Sequence, residues 1–167
     1  KLLEHDDRYD VADEFMQATA QLWDSWEDGA VVLDKQTGRF ADAEKVHRVD
    51  YSGEWFQVRG PLTVPRSPQG HPVLVQAGQS ERGREFAARW GELLFVIYPT
   101  AEACKAYRDD LRQRAQSAGR DPDSVKIAPA VYVVVGETEE DAQSKLEEID
   151  NLANQTDSLA LLSEVFN

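Results

Sequence analysis

The stretch "PVLVQAGQSERGREFAARWGELLFVIY", residues 72–98, decides the fold. An apolar run ends in Gln76-Ala77-Gly78, and a helix-like pattern begins at Ser80 and is stopped by Gly91. A second apolar run, Leu93 to Tyr98, follows at once. The runs predict strands over 72–77 and 93–98, and the segment between them a helix over 80–90. Strands that are apolar throughout need cover on both faces, which is the property of a parallel sheet with crossover helices.

The rhythm continues toward the C-terminus. Thr100 is placed to cap a helix carrying Ala103, Tyr107, Leu111 and Ala115, with Gly119 as its stop. "VKIAPAVYVVVG", residues 125–136, predicts a third strand region bent at Pro129. Thr138 with Asp141 reads as a capping box, opening a helix with Ala142, Leu146, Ile149 and Ala153 on its inner stripe. A short last helix is expected from Asp157, with Leu159, Leu162 and Val165 on one side. Three βα units in succession give an α/β fold.

Upstream, residues 9–26 predict a helix, capped by Asp6 or Asp7, with Val11, Phe15, Ala18, Leu22 and Trp26 on one face. Residues 29–70 differ in character. "AVVLDKQTGRF" contains a strand-like run and a Thr37-Gly38 turn, and "VHRVDYSGEWFQVRG" reads as a hairpin around Ser52-Gly53. "PLTVPRSPQGHP" is a connector punctuated by prolines and Gly70. The expected organisation is a helix segment over 1–28, a hairpin-containing insertion over 29–70 and βα units over 71–167, together forming one incomplete domain.

Composition narrows the function. The 167 residues carry 31 acids against 18 bases, a net charge of −13. Phosphate backbones demand clustered Lys and Arg, so nucleic acid is excluded as a partner, and an anionic membrane surface equally so. No apolar run is long enough to span a bilayer. Cys104 is the only cysteine, so no intrachain disulfide can form, and a cytoplasmic protein is expected. The chain opens at Lys1 as if in mid-polypeptide, so either a longer gene product or a removed tag or leader is expected.

Ligands of α/β folds gather beyond the carboxyl ends of the strands, where Gly78, Gln79 and Ser80 stand. The first amides of the following helix have no internal partner, and its dipole adds positive character, so a phosphate is doubly favoured there. Gly78 would let a ligand approach the backbone, Ser80 could donate its hydroxyl, and Gly83 leaves room on the first turn. The same residues also suit a tight turn with a serine N-cap, and their spacing is neither a Walker loop nor GxGxxG. The residues alone leave both readings open.

Elsewhere the expectations are structural. His5, His47 and His71 lack metal-ligand spacing, and no metal site is expected. His5 lies close to Tyr9 in sequence and is a minor candidate for the same site. Cys104 reads as a small packing residue, Arg59 and Arg66 as surface partners of acids, and Trp23, Trp26, Trp55 and Trp90 as packing groups. No carboxylate pair or Ser-His-Asp set stands out, so the catalytic residues are unassigned.

Three phrases carry a resemblance: "HDDRYDVADEFMQATAQLWDSWEDGAV", "KVHRVDYSGEWFQVRGPLTVPRSPQGHPVLVQAGQSERGREFAARWGELLF" and "AGRDPDSVKIAPAVYVVVGETEEDA". Together they resemble one branch of the bacterial luciferase-like flavin-dependent monooxygenases. That branch includes nitrilotriacetate monooxygenase component A, dibenzothiophene sulfone monooxygenase and long-chain alkane monooxygenase. The resemblance implies part of a (β/α)8 TIM-type barrel. It implies an oxidoreductase that uses reduced FMN from a separate flavin reductase, with O2 as co-substrate, to oxygenate a small organic substrate. A homo-oligomer is expected separately, because a partial barrel leaves strand edges that seek partners. By the same resemblance, Gly78, Ser80 and the Gln79 backbone match positions that hold the FMN phosphate, and Tyr9 matches a tyrosine reaching it.

A complete barrel needs on the order of 250 residues, so the chain resembles a central-to-late segment that would by itself bind flavin weakly or not at all. Two alternatives stand beside this: a deazaflavin-dependent oxidoreductase of the same superfamily, and a catalytically silent barrel piece serving as an interaction module.

Overall fold

The computed structural model describes residues 3–152 and 154–166, without the side chains of residues 155, 162 and 164–166. Ala153 and the side chains of Leu162 and Val165, expected on helix stripes, therefore lie outside the described residues. The chain divides into two compact units, one ending at Ala130 and the other beginning at Val131.

In the first unit, helix α1 spans His5–Trp23. It begins earlier than its sequence predicts, with Glu4 at the N-cap position and no side-chain cap; Asp6 and Asp7 lie in the first turn. Its buried face also differs from the predicted stripe. Asp13, Glu14, Met16 and Ala18 are buried, whereas Phe15 is 52% exposed and Trp26 lies beyond the helix in a bridge to Val46. Hydrophobic periodicity treats charges as outward-facing. Here two carboxylates turn inward because each finds donors from distant parts of the chain.

Strands β1 (Val31–Asp34) and β2 (Arg39–Ala41) form one antiparallel hairpin, and β3 (Tyr51–Ser52) and β4 (Gln57–Val58) a second. The second is clipped to α1 by Glu14. Its carboxylate accepts from the Glu54 N–H at 2.9 Å, the Trp55 N–H at 3.0 Å and the Phe56 N–H at 2.8 Å. The connector is tied to the end of α1. Ser25 Oγ accepts from Leu62 N–H at 3.0 Å, Trp26 Nε1 donates to the Leu62 carbonyl at 2.8 Å, and Asp24 pairs with both His71 and Arg66.

The βα rhythm is present in a parallel sheet of order β5-β6-β7, with β5 at Val75–Gln76, β6 at Leu93–Val96 and β7 at Lys126–Pro129. Helix α2, Glu81–Trp90, follows β5 with Ser80 as N-cap and Gly91 as C-cap. Helix α3, Ala101–Ser117, follows β6 and is capped by Thr100, whose hydroxyl accepts from Ala103 N–H. Gly119, at φ +79°, turns the chain in the left-handed region. Ala87, Leu94, Val96, Tyr107, Leu111, Ala115 and Val125 form the core, with Cys104 packed against it.

The strands are shorter than predicted and covered on one face only. Leu94 and Val96 are fully buried on the helix side, while Phe95 and Ile97 are 43% and 66% exposed on the other.

In the second unit, residues 131–135 form no strand, and Val131, Val133 and Val135 are exposed. A strand is held by a neighbour's ladder, and this segment has none among the described residues. Helices α4 (Glu139–Asn151) and α5 (Gln155–Phe166) follow. Thr138 Oγ1 accepts from Asp141 N–H, and Asp141 in turn accepts from Glu137 N–H. Ala142 and Leu146 are half-buried, and Ile149 is exposed rather than on an inner stripe. No helix among the described residues is long and apolar enough to cross a membrane.

Candidate functional site

The junction between β5 and α2 is built by its capping chemistry. Ser80 is extended, and its Oγ accepts a hydrogen bond from the Gly83 N–H at 3.1 Å. That cap uses a lone pair and leaves the hydroxyl proton free to donate elsewhere. The remaining first-turn amides have no partner four residues back within the helix, so the positive end of the dipole stands open there.

The backbone of the turn is held from the α3 side. The Tyr107 hydroxyl donates to the Gly78 carbonyl at 3.3 Å, and Arg84 Nε donates to the Gln79 carbonyl at 3.0 Å. Arg84 is itself anchored on Asp110 at 3.1 Å and lies over the Tyr107 ring. A trans peptide points its N–H opposite its C=O. The Gly78 carbonyl is held by α3 and the Gln79 carbonyl by Arg84 of α2, so the amides of Gln79 and Ser80 point opposite those bonds. Burial pushes the Tyr107 phenol up to about 12, so it stays protonated as the donor.

Tyr9 reaches this turn from α1, some seventy positions away in the chain. A Cβ added at Gly78 would collide with its hydroxyl, and one added at Gly83 would lie 2.8 Å from it and 3.0 Å from Ser80 Oγ. The phenol thus stands over both glycines, and at Gly83 it meets the serine hydroxyl. His5 Nε2 lies 3.4 Å from Ser80 Oγ, and the His5 and Tyr9 rings meet edge-on. An open concavity of about 280 Å³ lined by His5, Arg8, Tyr9 and Ala12 borders the cluster.

Four residues singled out in the sequence, Tyr9, Gly78, Gln79 and Ser80, thus converge, and His5 joins them. Gln79 contributes backbone only: its carbonyl is occupied by Arg84. Sequence reasoning missed Gln76, Arg84 and Tyr107. Gln76 Oε1 is a buried acceptor without a partner, and the other end of that amide lies against Gly78. A glutamine inside an apolar strand was a readable signal of it. Arg84 and Tyr107 sit on helix faces that periodicity assigns to solvent and to core, and nothing local marks them as turn supports.

The donor set of two hydroxyls and outward-facing amides at a helix N-terminus, with glycine where a Cβ would block approach, fits a phosphate monoester.

A second network lies one turn deeper. Asp13 is 6% exposed and accepts from Trp90 Nε1 at 2.7 Å, from Arg82 and from Arg89 at 3.1 Å. Arg82 also pairs with Asp10 at 2.7 Å. Burial opposes the Arg82 charge, but the hydrogen bonds it donates to Asp10 and Asp13 outweigh it, and its pKa is raised.

Residues 2–162 match the family of luciferase-like monooxygenases. The chain is 52% identical over 161 residues to the dibenzothiophene-sulfone monooxygenase of Rhodococcus erythropolis, covering 96% of this chain and 36% of that protein. The crystal structure of a long-chain alkane monooxygenase superposes with a TM-score of 0.83 at 46% identity, covering 88% of this chain and 34% of that one. A riboflavin lyase crystallised with modified FMN and riboflavin superposes equally well, with a TM-score of 0.83 at 43% identity, covering 89% of this chain and 33% of that one. The chain thus spans about a third of the length of the relatives it matches.

Proposed function

The chain belongs to the luciferase-like monooxygenase family, and from that premise we propose that it forms the FMN-phosphate cradle of a two-component monooxygenase. The complete enzyme takes reduced FMN from a separate reductase and uses O2 to oxygenate a small organic substrate. The names of the matched relatives favour this over a deazaflavin oxidoreductase or a silent interaction module.

When bound, reduced FMN supplies the O2-activating chemistry. The chain's residues bind and orient. Ser80 donates its hydroxyl to a phosphate oxygen while its lone pair keeps the helix cap, and Tyr9 donates a second hydroxyl from α1. The Gln79 and Ser80 amides and the α2 dipole complete the anion site. Gly78 and Gly83 leave the approach open. Tyr107 and Arg84 fix the turn from behind, so the donors are aimed before the anion arrives.

The observation that supports this reading is the placement of the Tyr9 hydroxyl against both Gly78 and Gly83, with Ser80 Oγ beside it at Gly83. The test uses the complete gene product. Ser80→Ala is expected to weaken binding of oxidised FMN by about 1.5–3 kcal/mol, the scale of a hydrogen bond to a charged group. Riboflavin, which lacks the phosphate, should bind unchanged. Equal loss for both flavins, or none for FMN, counts against the assignment.

A further inference from the structure

We propose that Asp13 is a positioning residue of this site: the buried carboxylate through which α2 holds the Tyr9 hydroxyl over its own N-terminus. The proposal rests on the phosphate reading above. Tyr9 and Asp13 are four apart on α1 and so share a face of the helix. Three donors of α2 close on Asp13: Trp90 Nε1 at 2.7 Å on Oδ1, and Arg82 and Arg89 on Oδ2. Arg82 is the second residue of α2, beside Gly83, and its guanidinium lies 5.7 Å from the centre of the Tyr9 ring. Phe86, one turn further along α2, packs on the same ring with centroids 5.6 Å apart. The ring is thus set by its seat on α2, and the polar lock on that seat is Asp13. The bond network has a second consequence. Both hydrogen-bond acceptors of Arg82, Asp10 and Asp13, hold its charge toward α1, with Glu85 of α2 further off at 4.0 Å, rather than leaving it free to swing onto the anion.

The test again uses the complete gene product, with dissociation constants for oxidised FMN and for riboflavin measured side by side. Asp13→Asn keeps the shape but weakens the hold on Arg82 and Arg89. It is expected to lower the preference for FMN over riboflavin about tenfold, the scale of one charge-assisted hydrogen bond. In a Tyr9→Phe background the same substitution should cause no further loss, because its effect passes through the phenol. Equal loss for both flavins, an additive loss in the Tyr9→Phe background, or a raised FMN preference from a freed Arg82 each overturns the proposal. Should Asp13→Asn fail to fold, Arg82→Lys, which keeps the charge and loses the fork, is expected to give the same pattern. If Tyr9→Phe and Ser80→Ala both leave the FMN preference intact, the phosphate reading fails and this proposal falls with it. If they reduce it and Asp13→Asn and Arg82→Lys do not, only the role of Asp13 is refuted.

Discussion

The Tyr9 hydroxyl stands 2.8 Å from the point that a Cβ on Gly83 would occupy. A phenol on one helix and a missing side chain on another are thereby fitted to each other. Gly83→Ala should therefore act on the site more than on the fold. Alanine gains about 1 kcal/mol of helix propensity over glycine, which offsets part of the cost of shifting the Tyr9 and Ser80 hydroxyls and of a 3.2 Å approach to the Gly78 backbone. Stability in urea is expected to change by less than about 1 kcal/mol, while FMN affinity falls roughly tenfold as Tyr9 is displaced. An unchanged FMN affinity would show that the site does not need Tyr9 in this position.

Glu14 carries the attachment of the 51–58 hairpin. One carboxylate satisfies the amides of three successive residues, and Gly53 leaves no room for a side chain beside it. Glu14→Ala strands three donors. Unsatisfied buried donors cost about 1–3 kcal/mol each, and water will recover part of that at this partly buried turn. A loss of about 2–4 kcal/mol in denaturant unfolding is expected. A loss below about 1 kcal/mol would mean that the clip is dispensable.

Tyr107 gives a pH signature. Its folded pKa of about 12 lies above the ordinary value of 10.0, with burial as the main cause. The folded state therefore holds the proton longer than the unfolded chain does. The contribution is fully present below pH 10 and is lost as pH rises from 10 toward 12. Tyr107→Phe removes this dependence along with the hydrogen bond to the Gly78 carbonyl. The stability gap between the wild type and this variant should narrow above pH 10. A gap that stays constant to pH 11.5 contradicts the assignment.

Local punctuation made much of the βα order readable. Ser80 and Gly91 bound α2, and Thr100 and Gly119 bracket α3, because caps act over one turn and need no distant partner. The inward face of α1 was not readable. Asp13 is buried for reasons held by Arg82, Arg89 and Trp90, and Glu14 for reasons held by the turn at 54–56, far along the chain. The 131–135 run shows the opposite limit: its composition is that of a strand, but a strand also needs a neighbour to pair with. At the site, the glycines and serine were legible as a turn that could take an anion. Their meeting with Tyr9 depends on how α1 sits on α2, which no local signal encodes.

The central claim is that Ser80 and Tyr9 jointly hold the FMN phosphate. The most direct measurement is a crystal structure of the complete gene product with FMN. Phosphate oxygens within about 3 Å of both Ser80 Oγ and Tyr9 Oη are the expected result. An FMN whose phosphate lies elsewhere, with Ser80 doing no more than capping α2, would contradict it.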